Sequence, residues 1–258
     1  MEETYDDALV YMDRTLSLLL RMVPQPVQRT INVGDKESIA YRFEEQTIRQ
    51  AIVQKLVRII SGLRAAGILV EHGLVQEQAS LQRMLDEFNE DVMFLSLAII
   101  YDDVSELHER YLAAFYEEEF NADTAMSSTQ KRPMIPRKKI RSYLDNKISD
   151  DKLGGGPEAA RTVSKMYSGY LHGASGQIMD IYFGDPPAFH TNGILGTSRH
   201  SEYRSDFWNY MYRGLLSFGF ALKAFGREAE FEENRRMAWE FGRNAGRDYG
   251  LYGSPWRG

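Results

Sequence analysis

Apolar residues recur every three or four positions along most of this chain, the period of a helix buried on one side. Leu9, Met12, Leu16, Leu19 and Leu20 carry that period over residues 4–22, and Pro24 and Pro26 stop the helix. Gly34-Asp35 offers a turn and an N-cap. Ile39, Phe43, Ile52, Leu56, Ile59, Leu63 and Val70 then mark one face of a second helix, to about Glu71. A third stretch runs from about Gln76 to Phe120, with Leu81, Leu85, Phe88, Val92, Leu95 and Ile99 on its stripe. Held straight it would extend ~68 Å, against a radius of gyration of about 18 Å for a domain of this size. It must bend or break, and the expected place is near Asp102-Asp103. The stripe is not a sustained heptad, so a long coiled coil is not expected.

From residue 121 to 136 the composition turns to Ala, Ser, Thr, Gln and Pro, which reads as a linker. A short basic helix follows at about 137–148. Gly154-Gly155-Gly156 is a joint, and Pro157-Glu158 opens a helix to about Tyr182. A loop with Gly184-Asp185-Pro186-Pro187 and Asn192-Gly193 leads to helices at about 200–226 and 229–248. No internal repeat and no strand alternation stand out. The expected fold is all-α, a bundle of about six to eight helices with long hairpins. Residues 1–122 would form N-terminal hairpins, 123–156 a linker with the basic helix, and 157–258 helices packing on the first part.

Composition narrows the setting. The hydrophobic share of 43% and charged share of 26% are those of an ordinary globular protein. Cysteine is absent, which excludes disulfides, thiolate zinc sites and a cysteine nucleophile, and fits a reducing, cytoplasmic setting. The acidic start Met1-Glu2-Glu3 lacks the basic residues of a secretory signal. The longest apolar run, Val92 to Tyr101, is far shorter than the roughly 20 residues that span a bilayer. A net charge of −6 gives no general pull toward nucleic acid.

The segment Tyr167 to Gln177 breaks a local rule. Gly169, Gly173 and Gly176 would share one helical face, and each glycine costs about 1 kcal/mol relative to alanine inside a helix. Something must approach that face closely. We weigh a ligand pocket, with His172 as a group that exchanges protons near neutral pH, Ser175 beside it and Asp180 along the helix. The loop with Asp185, Phe189 and His190 would fold back as a lid. Against this stands a close helix crossing with His172 hydrogen-bonded at its edge, which is the more common use of small residues.

Other groups carry weaker signals. Asp86, Glu87, Glu90, Asp91, Asp102, Asp103, Glu106 and His108 suggest a carboxylate metal site. Neither Glu-x-x-His nor His-Glu-x-x-His occurs, so a solvated acidic face is favoured and no metal or cofactor is expected. Lys131, Arg132, Arg137, Lys138, Lys139 and Arg141 could hold nucleic-acid phosphates, but only Tyr143 is near for stacking. A solvated helix balancing Glu117-Glu118-Glu119 is favoured. Tyr203, Phe207, Trp208, Tyr210, Tyr212, Phe218 and Phe220 surround their helix, which marks it as central or as half of a dimer interface. Arg204 and Arg213 on it, and Trp239 with Arg243 and Arg247 on the last helix, suit an anion or carboxylate partners. No P-loop and no Gly-x-Ser-x-Gly elbow is present.

Arg64-Ala65-Ala66 through Glu71-His72, with Leu81 to Glu87, is similar to the helical hairpin of uncharacterised bacterial proteins in the HEPN-like group. Tyr167-Ser168-Gly169-Tyr170-Leu171-His172-Gly173 resembles the tyrosine–serine–histidine stretch of some of them. The likeness spans roughly a third of the chain. It implies a helical bundle that cleaves or accompanies RNA, often in host defence and often dimeric. That group's nuclease motif places a histidine about five to seven positions after an arginine. Here seven residues separate Arg64 from His72, and ten separate Arg161 from His172, so ribonuclease activity gains little support.

The leading expectation is therefore a non-catalytic helical binding or interaction module, with a small pocket beside His172. Its partner would be a second copy, a small molecule or another protein. A HEPN-like ribonuclease or RNA-associated protein, and a carboxylate metal-binding bundle, are the alternatives. Nucleic acid is not favoured, and no membrane is expected.

Overall fold

The structure, a computed structural model, describes residues 2–33, 36–117, 126–127, 133–148 and 167–246. It is all-α with two small hairpins. In chain order the elements are α1 (Glu2–Leu20), β1 (Val27–Val33), β2 (Lys36–Arg42), α2 (Ile48–Glu71), α3 (Val75–Ile100), α4 (Glu106–Tyr116) and α5 (Arg137–Ile148). A helical turn at 167–171, here α6, comes next, then α7 (Ser175–Ile178), a 3-10 turn (Met179–Ile181), β3 (Tyr182–Phe183) and β4 (Ala188–Phe189). The last two helices are α8 (Ser198–Ala224) and α9 (Glu228–Asn244).

The second helix starts later than its apolar spacing predicts. Residues before it form an antiparallel β1–β2 hairpin, with Thr30 opposite Ile39 and Gln28 opposite Tyr41. Ile39 and Phe43 fit a helical stripe, but Ile39 and Tyr41 fit strand alternation equally well, and the strand wins. The helix begins where its cap lies. Thr47 Oγ1 accepts from the Gln50 backbone N at 3.4 Å, and Gln50 Oε1 accepts from the Thr47 backbone N at 3.0 Å.

The expected break in the third stretch occurs at Asp102, whose φ of +48° ends α3. Asp103 N donates to Ala98 O at 2.8 Å, closing a Schellman-type end. Helix α8 is central. Its buried face runs from Tyr203 to Ala224, and it packs against α1, α2, α3 and α9. At Gly214 a Cβ would stand 2.9 Å from Leu63 Cδ1, so the missing side chain lets α2 close onto α8. One core cluster runs from Ala8 to Phe241 and joins helices from both ends of the chain. Among the described residues no helix is long and apolar enough to cross a membrane.

Candidate functional site: an anchored cap and a polar seam

The glycine face is not built as the spacing predicts. The start of the expected helix from Pro157 and the Gly154 to Gly156 joint lie outside the described residues. From Tyr167 onward the helix is interrupted. Gly173, at φ +62°, ends α6 with Gly173 N bonded to Tyr170 O at 3.3 Å and Ala174 N to Gly169 O at 2.9 Å. Glycine is the favoured residue there, because it adopts the left-handed turn without a Cβ clash. Gly169 and Gly176 therefore sit on different helices. The group that closes on Gly169 is the Gln177 carboxamide, 2.5 Å from where a Cβ would stand. Nothing lies within 4 Å of that position at Gly176.

His172 and Ser175 are exposed. Asp180 is taken up by Arg199 at 2.6 Å and by the Tyr170 hydroxyl. His190 does not swing over as a lid. It stacks on Phe183 at 4.1 Å in the β3–β4 hairpin, its Nε2 3.1 Å from Phe183 O.

The close backbone approach lies elsewhere, where this segment caps the α2–α3 turn. Gly73 O accepts from Ile194 N at 3.0 Å, and at Gly193 a Cβ would stand 2.1 Å from His72 O. Gln76 Nε2 donates to Gln177 O at 2.8 Å, and His200 Nε2 lies 2.8 Å from Val70 O. On this anchored cap Leu171, Ile178, Met179, Tyr182, Phe183, Phe189 and Leu195 are all exposed, at 36–59%. They are seven of the 17 exposed large hydrophobic residues among the described ones, concentrated in 25 positions.

The acidic residues of α3 are not a solvated face. Asp86 and Asp91 are 4% and 3% exposed. Toward α2 and α5, Asp91 pairs with Lys55 at 2.8 Å and with Arg137, while Glu90 pairs with Arg137 at 2.6 Å and Arg141 at 2.8 Å. Burial opposes the Arg137 charge, but Asp91 and Glu90 hold its pKa above the usual range. The same contacts correct the reading of the basic helix. Arg137 and Arg141 pair with Glu90 and Asp91 of α3, whereas Glu118 and Glu119 lie outside the described residues. Lys138 and Lys139 are exposed, and Lys131 and Arg132 lie outside the described residues. Among the described residues, no group of three His, Asp or Glu side chains is arranged to hold a metal ion.

His108 also belongs to the interior. It is fully buried, stacked on Phe94 at 4.1 Å, and its Nδ1 accepts from Ser105 N at 3.1 Å. Burial pushes its pKa down.

Toward α8, α3 presents a polar line that the apolar stripes concealed. Gln78, Gln82, Asp86 and Asn89 are all buried, spaced to share one helical face. Gln78 Nε2 donates to Tyr203 O at 2.9 Å, Arg213 donates to Asp86, and Ser217 Oγ donates to Asn89 Oδ1 at 2.7 Å. Partner numbers rise together along both helices, so α3 and α8 run parallel. By that register Gln82 stands opposite residues 206–210. Tyr167 of α6 bonds to Asp206, which also accepts from Asn209 Nδ2 at 3.0 Å. Tyr167 and Tyr210 pack edge to face at 6.2 Å.

Charge in this seam is costly. Burial pushes the Asp86 carboxyl up, against the pull of Arg213. Burial and then Asp206 push the Tyr167 phenol far above its ordinary 10.0, and burial with Asp86 does the same for Tyr210. Gln82 is 0% exposed, yet neither its Oε1 nor its Nε2 has a partner, and Gln78 Oε1 has none either. Of the polar groups that line the seam from α3, only Asp86 drew notice in the sequence. The signal for the rest was polar spacing, Gln78-x3-Gln82-x3-Asp86-x2-Asn89, read on a helix.

The remaining residues singled out are engaged locally. Arg64 pairs with Asp13, His72 Nδ1 lies 2.8 Å from Ile68 O, and Arg243 stands 4.4 Å from the Trp239 ring. Arg204 is exposed, while Arg161 and Arg247 lie outside the described residues. No family model matches the chain, and neither does any curated protein or solved structure.

Proposed function

We propose that the chain is a non-catalytic helical interaction module whose contact surface is the cap from Leu171 to Leu195, and that its partner is a second copy of itself. The observation that carries this is the gathering of exposed aromatic and aliphatic side chains on one anchored segment. Exposed apolar residues scattered singly are ordinary, whereas a concentration marks a contact surface. Aromatic residues and methionine are enriched at such surfaces.

Area and charge both favour self-association. At roughly 200 Å² per large side chain, about half of it exposed, the seven offer on the order of 700 Å². A stable interface takes about 800 Å² from each partner. Between Leu171 and Leu195 there is no lysine or arginine, and of the two carboxylates Asp180 is already neutralised by Arg199. Two copies can therefore meet here without local repulsion, and their net charges are screened at physiological salt. His172 and His190 sit on this surface as contact residues.

Sedimentation equilibrium tests the proposal. The wild-type chain is expected to dimerise. Tyr182→Asp combined with Phe189→Asp should yield a monomer of unchanged helix content. Ile39→Asp with Tyr41→Asp, on the exposed β1–β2 hairpin, should leave the dimer intact. A monomeric wild type at its highest soluble concentration, or a dimer indifferent to the cap variant, overturns it.

A further inference from the structure

We infer that α4 is an acid-sensitive element of the bundle, one that opens ahead of the other helices and opens more readily once His108 takes up a proton. Helix α4 is lightly docked. It is 11 residues long, and a helix that short is marginal without packing. Its buried residues are His108, Tyr111 and Ala114, so a titratable ring is among the few side chains that seat it. Leu107, Leu112, Phe115 and Tyr116 add partly buried contacts, and the Tyr116 hydroxyl donates to Thr47 O at 2.9 Å. At its other end α4 joins α3 through the left-handed turn at Asp102.

The docked geometry requires the neutral ring. His108 Nδ1 lies 3.1 Å from Ser105 N, which can only donate, so Nδ1 accepts and carries no proton. A proton there would set donor against donor and undo the capping box that starts the helix. The charged ring would also stand fully buried, between the Phe94 ring of α3 at 4.1 Å and the Tyr143 ring of α5 at 4.8 Å. The charges around it do not offset that. Asp103 in the α3–α4 turn favours the charged form, Lys147 of α5 opposes it, and the two pair with one another at 2.6 Å. Glu106 and Glu109 on α4 itself are exposed. Burial is the largest influence, and it lowers the pKa of His108. Opening returns the ring to water, where it takes up a proton near its ordinary 6.5. The docked state is therefore most stable above 6.5, and opening is favoured as pH falls below it.

Amide hydrogen exchange on the intact chain tests this, read by NMR as protection relative to an unstructured peptide at about pH 7.5 and about pH 5.5. Amides of α4 should be less protected than those of α3 and α8 at both values. Toward the lower value their protection should fall by about fivefold or more. His108→Gln keeps an acceptor for Ser105 N and should lose most of that fall. The inference is overturned if α4 exchanges no faster than α3 and α8, because it then opens only with the whole chain. It is equally overturned if α4 protection in the wild type falls by less than about twofold, or falls as much in His108→Gln. The wild-type profile decides the matter even if the variant fails to fold.

Discussion

Helix α3 carries polar groups into the interior on two sides, and the two sides are finished differently. Toward α2 and α5, Glu90 and Asp91 meet Lys55, Arg137 and Arg141, and every one of these charges has a partner. Toward α8, Gln82 has nothing bonded to it; on one side Gln78 is paired at its donor end alone, and on the other Asp86 meets Arg213. The first arrangement fixes where α5 docks. The second leaves hydrogen-bonding capacity unused at Gln82. A buried network of paired charges holds its elements together, whereas an unpaired buried amide costs stability.

The sharpest way to separate the two sides is to remove one group from each. Asp91→Asn deletes the carboxylate between Lys55 and Arg137, whose side chains are 13% and 24% exposed. Breaking a buried pair by removing one partner leaves a stranded charge, so a loss of about 3 kcal/mol is expected in urea unfolding. A loss below about 1 kcal/mol would mean that the cluster does not anchor α5. Gln82→Met should act in the opposite direction. Replacing an unsatisfied buried amide by an apolar side chain of similar volume should add about 1 kcal/mol. If the protein is instead destabilised by that much, the amide is already satisfied and the contrast between the two sides disappears.

The all-α fold was legible because helical periods are long and caps are chemical. The break at Asp102, the basic helix α5 and the centrality of α8 follow from spacing and composition. The β1–β2 hairpin was not, since two apolar residues four apart fit helix and strand alike. The glycine face misled for a related reason. Spacing assumes a continuous helix, and Gly173 is the residue that ends one. The seam was hidden by a different assumption, that carboxylates on a helix face water. Asp86 and Asp91 are paired by residues 127 and 46 positions away, and no local pattern reports such contacts.

Two smaller effects refine the comparison through pH. Asp86→Asn should cost less than Asp91→Asn, under about 1 kcal/mol at neutral pH, because Arg213 still reaches water. Its pH dependence has a definite sign. The folded value of Asp86 is raised above its ordinary 3.8, so its contribution is fullest below 3.8 and declines as pH rises through the folded value. The variant, lacking that ionisation, should gain on the wild type over the same rise. A constant difference between the two curves would show that Arg213 cancels the burial of Asp86.

His108 of α4, stacked on Phe94 of α3, supplies the smallest and most selective change. It is the only fully buried histidine among the described residues, and its lowered pKa reflects burial first. For a histidine held neutral, stability is full above the ordinary value of 6.5 and is lost as pH falls below it, because only the unfolded chain takes up the proton freely. Glutamine at the same position can accept from Ser105 N as His108 Nδ1 does, since Ser-x-x-Gln is itself a capping box. His108→Gln should therefore leave the fold intact near neutral pH and remove part of the decline in urea midpoint between about pH 7.5 and about pH 5.5. If wild type and variant decline in parallel, His108 is protonated without penalty in the folded chain. Burial would then not be what keeps it neutral.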